Sequence, residues 1–133
     1  MSTHALPQNA GNSLGRTADL IMLVTLAAFS AAALAIGQYY GSLGLATGVS
    51  LALLALGGFT YASAAGTLAS RLVLALAVSA SVALHIHLGR GTLEFHFGVF
   101  VTLALLLVYR DWRPIVAAAG FFAVHHVLFD RLQ

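Results

Sequence analysis

The sequence predicts an all-α fold, an integral membrane helical bundle of five transmembrane helices. Three observations predict it. Of the 133 residues, 60% are hydrophobic and 8% charged, with a mean hydropathy of +0.94, whereas soluble domains carry about 25% charged residues. The apolar residues fall in runs close to the roughly 20 helical residues that cross a hydrocarbon core. All six basic residues are Arg, and they sit between the runs, as membrane flanks do. The length suits one domain. With no Cys, disulfides, iron–sulfur clusters and thiolate zinc sites are excluded. No basic patch suggests nucleic acid as a partner; the bilayer is the expected one.

Residues 1–18 are polar and rich in small residues, and are expected to form a disordered tail ahead of a membrane domain over 19–133. Five spans are expected, at about 20–39, 43–62, 72–88, 93–109 and 112–129. Tyr39 and Tyr40 suit the headgroup level after the first. Gly44 and Gly48 give the second a GxxxG spacing, which allows close helix approach. Before the fourth, Thr92 suits an N-cap, and Glu94 suits the first turn through the helix dipole. Arg110-Asp111-Trp112-Arg113-Pro114 forms a tight turn, with Asp111 capping the fifth span and Pro114 tolerated in its first turn. Arg16, Arg71, Arg110 and Arg113 flank one side, and Arg90 and Arg131 the other. The positive-inside rule then places the N-terminus in the cytoplasm and, after five spans, the C-terminus outside.

Five of six histidines lie in apolar sequence: His85, His87, His96, His125 and His126. His4 is in the tail. Ionisable groups at membrane depth are costly and mark function by default. His85 follows Arg71 by 14 residues, His96 precedes Arg110 by 14, and His125 follows Asp111 by 14. At ~1.5 Å per residue each stands about 21 Å from the same edge, so three neighbouring spans present His at one level. His85 and His87 point to roughly opposite faces, so at most one of them faces a given site. His126 and Asp130 are four apart, so Asp130 could orient that imidazole, and Glu94 is the other carboxylate near this level. The candidate metal ligands are therefore His85, His87, His96, His125 and His126. A b-type haem would take its axial His from facing helices, His96 or His85 opposite His125 or His126. Copper, zinc or iron would need three or four converging ligands, such as a cage of His85, His96, His125 and His126. Interhelical hydrogen bonding with no cofactor is the bland alternative.

The words EFHFGVFV (Glu94 to Val101), YRDWRPI (Tyr109 to Ile115) and AVHHVLFDRLQ (Ala123 to Gln133) resemble the membrane region of a group of bacterial methyl-accepting chemotaxis proteins. Related membrane diguanylate cyclases and sensor kinases carry a similar region. The resemblance covers the last third of the chain. It implies an N-terminal, multi-spanning sensory domain in the bacterial inner membrane, a homodimer, and a cytoplasmic signalling module beyond this chain. It also implies a sixth span, so that the five here would be a truncated six-helix unit. Many relatives have a second His two positions after the first in the fourth helix, where this chain has Gly98. The expected function is non-enzymatic: signal transduction through haem or a metal, sensing redox state, gas or metal. A structural anchor or dimerisation domain is the first alternative, and a small metal or proton transporter the second.

Overall fold

The structure, a computed structural model, describes residues 8–132. It is all-α, with helices α1 (Gln8–Tyr40), α2 (Leu43–Ala64), α3 (Leu68–Leu88), α4 (Leu93–Leu105) and α5 (Trp112–Leu132). A 3-10 stretch, Leu106–Tyr109, continues α4. Among the described residues there is no strand. By length and composition four helices could cross a membrane, and the apolar segment Leu93–Tyr109 is shorter. Its 13 α-helical and four 3-10 residues reach roughly 28 Å, because the 3-10 rise is larger per residue.

The expected disordered tail is corrected over its described part. Helix α1 starts at Gln8, and residues 1–7, His4 among them, lie outside the described residues. The extra helix is held by packing. Gly15 meets the Gly66 backbone closely, and Ala18 is buried against the core.

Helix α3 is the hub. Of its most apolar window 61% is buried, against 28% or less in the other three long helices. It packs on α1, α2, α4 and α5. Met22, Leu26, Leu74, Val78 and Leu106 are fully buried and join α1, α3 and the 3-10 stretch. Val82, Ile86 and Phe122 join α3 to α5, with Phe95 and Val99 of α4 beside them. Helices α4 and α5 are not full neighbours of each other. Both lean on α3 and barely touch, leaving a cleft between them.

Close helix approach occurs elsewhere than the GxxxG spacing suggests. A Cβ on Gly44 or Gly48 would meet nothing within 4 Å, so that face is unused inside the chain. Gly37 is the tight position, where a Cβ would lie 2.6 Å from the Ala46 Cβ. This contact lets α2 fold back on α1 directly after Gly41.

A buried polar knot closes one end of the bundle. Asp19, fully buried on α1, accepts from the Ser70 hydroxyl at 2.6 Å, the Gly66 N–H at 2.7 Å and the Tyr109 hydroxyl at 2.9 Å. One carboxyl group thus ties α1 to the α2–α3 turn, the start of α3 and the end of the 3-10 stretch. Gly66 has φ +84, which glycine adopts without strain and which turns its N–H into the knot. Beside it, Asp111 caps α5 by accepting from the Arg113 N–H at 3.0 Å, and pairs with Arg71 at 3.2 Å and Arg113 at 3.0 Å.

Candidate functional site: a histidine-lined cleft

The cleft between α4 and α5 has a volume of about 610 Å³ and reaches α3 at Ile86, near its C-terminal end. His96 and Val99 line the α4 wall, His125 and His126 the α5 wall, and Phe100, Phe122 and Phe129 supply most of the aromatic surface. The volume is within the roughly 300–1,000 Å³ of ligand pockets, and an apolar lining with few polar groups is their usual composition.

His96 owes its place to the turn before α4. Thr92 occupies the N-cap position but makes no side-chain cap; its hydroxyl donates back to the Gly89 carbonyl instead. The Thr92 carbonyl stands 3.3 Å from His96 Nδ1. A carbonyl only accepts, so Nδ1 carries the hydrogen, and in a neutral ring Nε2 keeps the lone pair for a ligand. On α5, His125 lies between two rings of its own helix. Phe129 is 4.4 Å away, and Phe121 is stacked at 6.3 Å. His87 meets Phe129 edge-on at 5.7 Å, so α3 reaches the same aromatic ladder. His126, His96 and His87 all lie within electrostatic reach of His125.

The five histidines therefore divide. His96, His125 and His126 line one cleft, and His87 stands at its flank, exposed. His85 belongs to another interface. It is buried, its Nε2 donates to the Phe29 carbonyl of α1 at 2.8 Å, and its ring tilts over Phe29 at 5.6 Å. The two-residue step from His85 to His87 turns the ring from α1 to α5. The four-ligand cage of His85, His96, His125 and His126 is thereby corrected. Among the described residues, no group of three or more His, Asp or Glu side chains is placed to hold a metal ion.

The two carboxylates also differ from expectation. Asp130 lines the cleft, but it is exposed and makes no hydrogen bond to His126 among the described residues. Glu94 is exposed and does not line the cleft; it sits in an adjoining hollow with Phe97 that shares Leu93, His96 and Phe100 with it. Gly98 faces α3, where a Cβ would come 3.1 Å from Val82 Cγ1. A histidine there would meet the α3 core rather than complete the cleft. Asp19 had a signal in the sequence, a lone acid opening an apolar run, but nothing there names its partners.

The donor set suits a planar, apolar group held by imidazole better than a bare ion. His96 lines one wall and His125 the other, with Phe100, Phe122 and Phe129 also in the lining, so imidazole donors and aromatic surface share one cleft. Comparisons with protein-family models, with curated proteins and with solved structures found no match.

Proposed function

We propose that this chain is a membrane-embedded sensory domain whose α4–α5 cleft binds b-type haem through His96 and His125 and passes its state to a cytoplasmic output. One observation carries the reading: histidines on two helices that hardly touch each other meet across a single apolar cleft. The membrane setting is supported by the outer surface. Leu51, Phe59, Phe97 and Phe100 are all more than 60% exposed, and such a surface would be costly in water. The four-against-two Arg distribution supports an N-terminus in the cytoplasm of a bacterial inner membrane. Haem so held would supply a one-electron change, or gas binding where one of the two imidazoles gives up its place. The protein's own part is to hold the imidazoles and keep water out, with phenylalanine rings packed against the group. The resemblance to chemoreceptor membrane regions supports a signalling output and a homodimer.

The test is the visible spectrum and metal content of the detergent-purified protein after expression with haem and iron supplied. A Soret band is expected, and lost in the His96→Ala/His125→Ala double variant. A colourless, metal-free protein would overturn the cofactor. A second reading, an anchor without cofactor, is favoured by His85, whose bond to the Phe29 carbonyl is a role needing no ligand. If the other histidines act alike, the double variant leaves signalling of a full-length receptor intact.

A further inference from the structure

The knotted end of the bundle carries a second pocket, remote from the histidines. It encloses about 320 Å³ between α1 and the 3-10 stretch. Leu14 and Ile21 of α1 and Val108 of the 3-10 stretch give it apolar sides, while Arg71, Arg110 and Thr17 supply polar groups. Leu14 is 67% exposed and Ile21 42%, so the groove opens on the outer surface.

The charges in it are not balanced from within. Arg71 spends one nitrogen on Asp111, at 3.2 Å, and its Nε is buried with no hydrogen-bond partner among the described residues. Arg110 is exposed and makes no ion pair among the described residues. The nearby acids are committed: Asp19 to Gly66, Ser70 and Tyr109, and Asp111 to Arg71 and Arg113. Arg16 adds a further cation at the same end, its side chain beside Gly66. Two guanidinium groups at the mouth of an apolar groove match a phosphate joined to a hydrocarbon chain. Guanidinium forks suit phosphate oxygens, and a basic pocket between helices on the cytoplasmic side is a lipid headgroup site in form.

We propose that this groove binds an anionic phospholipid, its phosphate on Arg71 and Arg110 and one acyl chain along Leu14, Ile21 and Val108. The proposal rests on the membrane setting but not on the haem. Lipid binding here would brace the end of the bundle where α1, α3 and the 3-10 stretch meet. The same phosphate chemistry could come from free phosphate, so the test has an arm for each source.

The intact protein is transferred from detergent to nanodiscs of phosphatidylcholine with or without phosphatidylglycerol. Retained lipid is read by native mass spectrometry and stability by thermal unfolding. The wild type is expected to retain phosphatidylglycerol selectively and to melt higher with it. Arg110→Gln, which removes an exposed side chain, should weaken retention about fivefold. Arg90→Gln, at the opposite end, should leave it unchanged. Inorganic phosphate alone should give no stabilisation; a shift equal to that of the lipid would overturn the lipid assignment. Entry into nanodiscs with no preference for phosphatidylglycerol, or equal losses from Arg110→Gln and Arg90→Gln, would overturn the site and leave the membrane setting standing. A protein that stays in solution after detergent removal would overturn both.

Discussion

Asp19 is the side chain whose removal should cost the fold most for its size. Its carboxyl group accepts three hydrogen bonds while fully buried. In Asp19→Ala the Ser70 hydroxyl loses little, since it also reaches the Thr67 carbonyl at 2.8 Å. The Gly66 N–H and the Tyr109 hydroxyl make no other hydrogen bond among the described residues. An orphaned buried donor costs about 1–3 kcal/mol, and release of the buried carboxyl group from its desolvation offsets part of that. The expected loss is about 2–4 kcal/mol. Asp19→Asn should lose about 1 kcal/mol, because one amide oxygen can still take Gly66 and Ser70 while the Tyr109 oxygen accepts from the amide nitrogen. Tyr109→Phe should cost a similar ~1 kcal/mol. Reversible unfolding in mixed detergent, followed by far-UV circular dichroism, measures all three. A double-mutant cycle between Asp19→Ala and Tyr109→Phe should show coupling of about 1 kcal/mol. If Asp19→Ala unfolds like wild type, or like Asp130→Ala on the exposed end of α5, the knot does not hold the bundle.

Three further outcomes are expected. Gly37→Val should destabilise by about 1–3 kcal/mol, since even its Cβ would meet the Ala46 Cβ at 2.6 Å, while Gly48→Val in open space should not; the same unfolding assay compares them. Asp111 titrates at about 2, below its ordinary value, chiefly because the Arg113 side chain donates to it, then the Arg113 N–H and Arg71. Its folded form therefore binds protons more weakly than the unfolded chain, so its stabilisation is complete above roughly pH 4 and lost as pH falls toward about 2. Melting temperatures across that window should fall further in wild type than in Asp111→Asn. His85→Leu should lower stability by about 1 kcal/mol through loss of its bond to Phe29 yet leave any haem spectrum intact; a lost spectrum with unchanged stability would place His85 in the cleft after all.

Some of this was legible in the sequence, and the physics says which part. Helix positions and turns follow from apolar run length and from Gly and Arg punctuation, and the expected starts at 43, 93 and 112 agree with α2, α4 and α5. The level of the histidines is also countable, because rise per residue is fixed. Their facing is not countable. Helix α2 and the α4 segment are apolar nearly all round, so no polar stripe marks which side meets the core. Only packing decides that His85 turns to Phe29 while His87 turns to Phe129. The same limit applies to glycines. Gly37 and Gly44 look alike in sequence, but one meets Ala46 and the other meets nothing. Asp19 depends on partners 47, 51 and 90 residues away, which no local pattern contains.

The distribution of cross-links among the helices implies where a ligand would act. Helix α3 is tied to α1 near both of its own ends, by Ser70 to Asp19 and by His85 to the Phe29 carbonyl, and α2 packs on both helices. Helices α4 and α5 are each fixed to α3 but scarcely to each other. A group bridging His96 and His125 would therefore act on a loose pairing and leave the tied α1–α3 pair nearly unchanged. A shift there leads to the turn that joins the two helices, where Asp111 holds Arg71 and Arg113. The absence of Cys makes this measurable with introduced pairs of spin labels. Labels at the exposed positions Phe97 on α4 and Val127 on α5 should give a broad distance distribution that narrows when haem is added. Labels at Leu20 on α1 and Leu76 on α3, also exposed, should give the same distribution with and without it. A change confined to the second pair would mean that the tied helices move and the loosely paired ones do not, which the bonding described above forbids.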